Sequence, residues 1–547
     1  MNKAILAAVI GAMLVCSSAA NAADLKLLNM DAPDVGLNDT TPAAPIGGNP
    51  GKTRGEQARI VYQFAMDMWG GVLESPVDID VWASFAPLSC TATSGTLAQA
   101  GANELYALND GTTDRVYGAA LAEALIGKDL SSPADPADIF SQFNGDLGKT
   151  GCLEGMSWYF GLDGKTPEDQ VNFLNVVMHE LGHGLGVQGF VYTRDIQFTG
   201  YYTYGLSDPY TYNAFDNVLN KRFEDMTNSQ RRTALTTAGR TVWTGANVNR
   251  EAALTLSQKN LLQATAPAAI NGQFYDVGYA NFGPLATPQT FIDRQLVLID
   301  DGTAPTANGC ESTYANAAQV AGKIAVIDRG TCGFSVKVKY AQDNGALAAI
   351  IVNSTAGVQN MATTAGFEPT IPSVLISQAD GNTLKTNIAA GAQVKMALSP
   401  YLAGADRAGR VRLYTPAALA PGSTYSHFDT EAHPDALMEP FDSPTVQAQF
   451  NTDMTPGLFA DIGWTLNPGN GKLGSCDTGV DAVEDGGIVI GANVQATSNV
   501  CLIGAKNRGQ YQSCMAAYKN DLRAQGLITG KQGGQLTSCA AKIGTKN

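Results

Sequence analysis

Between residues 56 and 73, EQARIVYQFAMDMWGGVL, apolar side chains return every three or four positions at Val61, Ala65, Met68 and Val72. That spacing predicts a helix with one buried stripe. The next stretch, VDIDVWASF, alternates instead: Val77, Ile79, Val81, Ala83 and Phe85 point one way, which predicts a half-buried strand. DIFSQFN, residues 138–144, is a shorter strand candidate. In GKTPEDQVNFLNVVMHELGHGLG, residues 164–186, the helical spacing returns at Val171, Leu174, Val177, Met178, Leu181 and Leu185. Thr166 reads as its N-cap, Pro167 as its first helical residue, and Glu168 and Asp169 as its first turn. A polar helix and an apolar strand, Thr241–Thr244, follow.

Further on, the composition shifts to Ala, Gly, Val and Ile. Residues 323–327 read as a strand, Arg329-Gly330 as a turn, 335–344 as a helix and 348–352 as a strand, a β-α-β unit. IPSVLISQADGNTL adds a strand and a helix start. Near the C-terminus two helices meet at Gly526–Thr529.

Composition narrows the class. With 44% hydrophobic and 16% charged residues in 547, the chain can bury several cores. The net charge of −15 argues against nucleic acid or anionic lipid as partners. Residues 1–22 carry Lys3, an apolar run from Ala4 to Val15 and a small-residue Ala20-Asn21-Ala22 end, the pattern of a secretory signal peptide. No later run is long enough to span a membrane, so a secreted or periplasmic protein is expected. Eight cysteines remain after Cys16, and an even count in an exported chain reads as disulfides. In the tail a Cys514–Cys539 bridge with Cys476–Cys501 is one of three pairings, and the sequence does not choose among them.

The chemistry sits in HELGHGLG. His179 and His183 are four residues apart on one helical face, with Glu180 beside them, the H-E-x-x-H arrangement that binds zinc and supplies a general base. With four histidines in the chain, the motif is expected by chance on the order of once in a thousand. Gly184 and Gly186 can stop the helix and turn the chain beneath the site. An extended form of the motif would place a third histidine at position 189, but that residue is Gly189. The other histidines, His427 and His433, are both candidates for the third ligand. Glu224, Glu251 and Asp208 are carboxylate alternatives.

HELGHGLG together with Ser426-His427-Phe428-Asp429, Asp435-Ala436-Leu437-Met438-Glu439-Pro440 and Asp461-Ile462-Gly463-Trp464 resembles the leishmanolysin-type metzincin metalloproteases. The resemblance implies His427 as third ligand, Met438 as the methionine of a turn below one catalytic zinc ion, Gly186 as a structural glycine, and His433 at the surface. It also implies that the strand before the zinc helix borders the cleft and pairs with an extended peptide substrate. The separation of 244 positions from His183 to His427 is far more than the family's usual insertion. Within that gap, Asp328-Arg329-Gly330-Thr331-Cys332-Gly333-Phe334 resembles the protease-associated (PA) domain, which implies a Cys310–Cys332 bridge and a non-catalytic role.

The expected architecture is therefore α+β. Residues 54–266 and 408–466 form a metzincin-like peptidase domain, split by an inserted α/β PA domain at 267–407. A small, mainly helical, disulfide-bonded module of unknown role follows at 470–547, and residues 23–53 are a propeptide or a disordered arm. The expected activity is that of a secreted zinc endopeptidase in which Glu180 takes the proton from a metal-activated water. The rival from another class is an exported binding or adhesion protein with a silent core. The acidic NDGTTD at 109–114 hints at calcium but lacks a full ligand pattern. Oligomeric state is open.

Overall fold

The computed structural model describes residues 22–190 and 206–544. The expected signal segment, residue 22 apart, and residues 191–205 lie outside them. The chain divides into two compact units: residues 1–257 with 403–547, and residues 258–402.

The first unit is built on a four-stranded sheet. β1 (Leu25–Asn29), β2 (Ile79–Ala86) and β4 (Ile139–Asn144) run parallel, and β3 (Ala98–Ala102) closes the edge antiparallel to β4. The alternation in β2 buries Ile79, Val81 and Ala83 completely. Helix α1 (Arg54–Val72) packs its stripe of Val61, Ala65, Met68 and Val72 into the core with no exposure. The disordered-arm alternative for residues 23–53 and the expected cleft strand both fail here. Residues 23–53 are not a loose arm: β1 pairs with β2 at Leu25–Ile79, Leu37 is fully buried, and Asn49 donates to the carbonyls of Gln57 and Phe160. The strand expected to border the cleft, DIFSQFN, is β4, in the sheet interior, so the edge strand is β3.

The motif helix, α2 (Phe173–Gly184), starts six residues later than Pro167 suggests. Gln170 N–H closes a turn on the Pro167 carbonyl, and β6 (Gln170–Asn172) then pairs parallel with β5 (Ser157–Tyr159). The side chain of Asn172 caps the helix at Asn175 N–H. Phe173 explains the delay: its ring is fully buried among Phe85, Phe143, Trp158 and Phe160, with centroids 5.0–5.6 Å away. Burying that ring outweighs the local capping signal at Thr166. Helix α3 (Ala246–Thr255) is the last element before the chain leaves this unit.

The second unit begins at 258 rather than 267, because β7 (Gln258–Ala266) belongs to its sheet. β7 pairs antiparallel with β12 (Gln393–Leu402), which pairs antiparallel with β8 (Arg294–Leu298). β8, β9 (Ile324–Asp328), β10 (Ala348–Val352) and β11 (Ser373–Ile376) then run parallel. Helices α4 (Phe334–Asp343) and α5 (Gln378–Asn387) follow β9 and β11. Ile324 and Val326 face one core cluster while Ala325 and Ile327 face another, so β9 is buried on both sides. Cys310 and Cys332 are bridged.

Residues 403–547 return to the first unit. Helix α6 (Thr455–Ile462) leads to a hairpin absent from the sequence reading, β13 (Asn470–Leu473) with β14 (Cys476–Asp481). Helices α7 (Ile490–Gly504), α8 (Arg508–Ala524) and α9 (Gly530–Ala540) complete it. This tail has its own core around Val480, Tyr511, Met515, Leu522 and Leu536, yet it is not a detached module. α7 lies so close on α1 that a Cβ at Gly71 would stand 2.8 Å from Ala492, and Asn499 donates to Asp67. The tail bridges are Cys476–Cys539 and Cys501–Cys514. α9 packs on β14 and carries Cys539 to Cys476, while the tight α7–α8 turn joins residues only 13 apart.

Candidate metal centre

α2 presents His179 and His183 one turn apart, and the chain turns back at once. The amide of Leu185 closes on the Leu181 carbonyl and that of Val187 on Gly182. Gly186 has φ +125°, and a Cβ there would meet Ile462 Cδ1 at 2.6 Å, so the turn needs glycine. The turn delivers the Val187 carbonyl to His183 Nδ1 at 2.8 Å. Position 189, where a third histidine stands in the longer motif, backs onto the ring of Tyr425: a Cβ on Gly189 would lie 2.2 Å from it.

His427 comes in on a bend just before Phe428, which bridges to Leu413. The Tyr414 N–H donates to the His427 carbonyl, and Phe428 N–H donates to Met438 O. Its Nε2 lies 3.2 Å from that of His179 and 3.1 Å from that of His183, and the latter two are 3.1 Å apart. Among the described residues, no other three metal-ligating side chains converge in this way. His433 is exposed and outside the group. The carboxylate alternatives are engaged elsewhere. Asp208 caps the helical turn Pro209–Asn213 and accepts from Phe190 N–H, Glu224 pairs with Arg115, and Glu251 pairs with Arg250. At 109–114, Asp110 accepts from Thr112 and Thr113 and pairs with Arg115, a hairpin tip satisfied by its own chain.

The donor set fits a zinc ion. Two nitrogens bound at about 2.0–2.1 Å with a tetrahedral angle between them stand roughly 3.3–3.4 Å apart, close to the observed edges. All three Nδ1 atoms face backbone carbonyls: His179 that of Leu437 at 2.7 Å, His183 that of Val187, His427 that of Ser423 at 2.8 Å. A carbonyl only accepts, so each Nδ1 carries the proton and each Nε2 keeps its lone pair for a metal. Burial works in the same direction, lowering His179 to about 4 and His183 to about 3, and pushing His427 well below the usual range. All three rings are neutral at pH 7.

The residues that hold this frame were only partly visible beforehand. Met438 is fully buried beneath the group, with its Sδ where a Cβ on Gly182 would stand 2.8 Å away. Gly182 thus permits the close approach, although nothing in the motif spacing marked it. Asp453, also missed, accepts from Leu437 N–H at 2.6 Å and fixes the carbonyl that orients His179. Its short distance in sequence from Met438 was the available signal.

Glu180 is 6% exposed, with Oε2 free of any hydrogen-bond partner. Burial alone raises it to about 8, and a divalent cation beside it acts in the opposite direction. It lines a cleft of about 570 Å³ together with the three histidines. Its lining includes the segment Ser94–Ala100, with the first part of edge strand β3, as well as Leu437 and Glu439–Ser443.

Residues 293–384 match the family model of the PA domain. They lie inside the second unit. Among curated proteins, leucine aminopeptidase 2 of Trichophyton rubrum is 33% identical over 132 residues, covering 24% of this chain and 25% of that protein. The chain thus spans about a quarter of the length of this relative. Among solved structures, a zinc aminopeptidase from Bacillus subtilis matches with 23% identity and a TM-score of 0.19 over 32% of this chain and 38% of its own. A peptidase M28 precursor from Shewanella amazonensis matches with 18% identity and a TM-score of 0.20 over 26% and 35%.

Proposed function

We propose that this chain is a zinc-dependent endopeptidase, with a metzincin-like site of His179, His183 and His427 and with Glu180 as general base. The convergence of three Nε2 atoms, each backed by a carbonyl at Nδ1, in an open cleft beside a buried glutamate carries this reading. A zinc ion held there supplies Lewis acidity toward water and toward a peptide carbonyl. Glu180, desolvated in the cleft wall, accepts the proton of the attacking water and returns it to the leaving amine. The leishmanolysin-like reading rests on the Met438 turn under the histidines and on Gly186.

Substrate orientation follows from the sheet edge. β3 bonds β4 through alternate residues, with the Leu97 carbonyl accepting from Asn144 N–H and Asn103 N–H donating to Asp138 O. The peptide groups of Ala98 and Ala100 therefore face outward, where an extended substrate can add as a further strand. An edge that runs along the cleft favours cleavage within a chain, unlike the aminopeptidase activity named for the relatives above. Four disulfides suit an oxidising, extracytoplasmic location. No described helix is long and apolar enough to cross a membrane.

The test is hydrolysis of casein and of N-acetylated peptides by purified protein. Cleavage should be internal, abolished by a chelator and restored by zinc. Glu180→Gln should retain the metal and lose at least about 100-fold in rate. Removal of single N-terminal residues with acetylated peptides untouched would overturn the endopeptidase assignment, and an unchanged rate in the variant would remove Glu180 from its role.

A further inference from the structure

The chain's net charge conceals a local reversal. Residues 505–547 hold seven of its 35 Lys and Arg but one of its 50 Asp and Glu, so this stretch is +6 within a protein of net −15. The fold puts that charge outside. On α8, Tyr511, Met515 and Leu522 turn into the tail core. At 100° per residue, Arg508, Lys519 and Arg523 fall within about 60° of one another on a different strip of the helix. The stems of Lys519 and Arg523 cross Gly533 of α9, where a Cβ would stand 3.5 and 3.1 Å from their Cδ atoms. Glycine there lets the two helices close up and holds both stems flat while the charged ends reach water. Lys506, Arg508, Arg523, Lys531 and Lys542 are exposed. None of these basic residues forms an ion pair among the described residues, although Arg508 donates to the Ala541 carbonyl.

We infer that the outer face of α8 and α9 binds an acidic polysaccharide. The charge calls for an anionic partner, and three features select among anions. A lipid surface would need an apolar anchor, yet among the described residues the only large apolar side chain exposed on the tail helices is Ile503 of α7. Single-stranded nucleic acid would need exposed aromatic rings for stacking, and Tyr511 is buried while Tyr518 turns inward to Asn493. Duplex DNA, with a charge every ~1.7 Å, would be strongly repelled by the acidic remainder of the protein. A polysaccharide with one carboxylate per sugar is far sparser in charge. It suits basic groups spaced one helical turn apart, about 6 Å, as Lys519 and Arg523 are. Its binding would hold the protein on an acidic matrix independently of the cleft.

The test is binding of the full-length protein to immobilised alginate, with dextran, duplex DNA and phosphatidylglycerol vesicles as comparisons. Wild type should bind alginate at about 50 mM salt and weaken at least tenfold by about 300 mM, through counterion release. The combined K519Q, R523Q and K531Q variant should bind at least tenfold more weakly, with its far-UV circular dichroism unchanged. The charge-keeping K519R, R523K and K531R variant should bind as wild type. Lys531→Gln alone, at an exposed site, should cost two- to fivefold and stands in if the triple variant misfolds. No alginate binding by wild type, undiminished binding by the neutralised variants, or tighter binding to DNA or vesicles would each overturn the assignment.

Discussion

Asp461 ties the end of α6 to the start of α3, and replacing it with asparagine tests how that end of the catalytic unit is held. Its Oδ2 accepts from Trp243 Nε1 at 2.9 Å and from Val248 N–H at 3.0 Å. Its Oδ1 accepts from Asn247 N–H at 3.0 Å and Asn247 Nδ2 at 2.9 Å. The carboxylate therefore holds the start of α3 with three bonds and the Trp243 indole with a fourth, favoured further by the helix dipole. In Asp461→Asn one oxygen remains, and the new amide group faces two donors whichever way it turns. Two hydrogen bonds to a charged group, at about 1.5–3 kcal/mol each, are lost. Because the residue is half-buried, water repays part, and we expect about 3 kcal/mol. At a urea dependence of about 3 kcal/mol/M, that lowers the unfolding midpoint by roughly 1 M. Tryptophan fluorescence is the right probe, since all five tryptophans, at 69, 82, 158, 243 and 464, belong to the first unit and the second unit is silent. A midpoint shift below about 0.2 M would refute the capping argument.

The other expectations concern the site and its support. His427→Ala should lower zinc affinity well beyond the 10–100-fold that loss of an outer-shell partner costs, while His433→Ala leaves it unchanged, as measured against a chromophoric chelator. Gly186→Ala should destabilise the first unit by about 2–4 kcal/mol in the same urea assay, from the φ of +125° and the contact with Ile462. Asp138 is raised by burial first and then by its neighbour Glu123. In the folded state it holds its proton where the unfolded chain, at about pH 4, has released it, so its contribution to stability falls as pH rises above that value. Asp138→Asn, which can still accept from Asp80 N–H, should gain about 1–2 kcal/mol over wild type at pH 8 relative to pH 5. A pH-independent difference would refute this.

Much of the first unit was set by the sequence because its signals were local. The stripe in α1, the alternation in β2 and the four-residue spacing of His179 and His183 each specify a face within one element. The strands around Asp328–Phe334 were legible for the same reason, being nearly continuous apolar runs bounded by turns. Where the outcome depended on a distant partner, the sequence was silent or misleading. Thr166 and Pro167 have the chemistry of a helix start, but the aromatic cluster around Phe173 set the start later. β7 reads as the end of one unit, yet its ladder with β12 assigns it to the other. The tail cysteines pair by the packing of α9 on β14, which no spacing encodes. At the site, the sequence named the rings and a resemblance singled out His427. Only the tertiary structure supplied the carbonyls of Leu437, Val187 and Ser423 that fix each tautomer. Backbone acceptors are common to every residue, so their placement belongs to the fold and leaves no mark in the residue types.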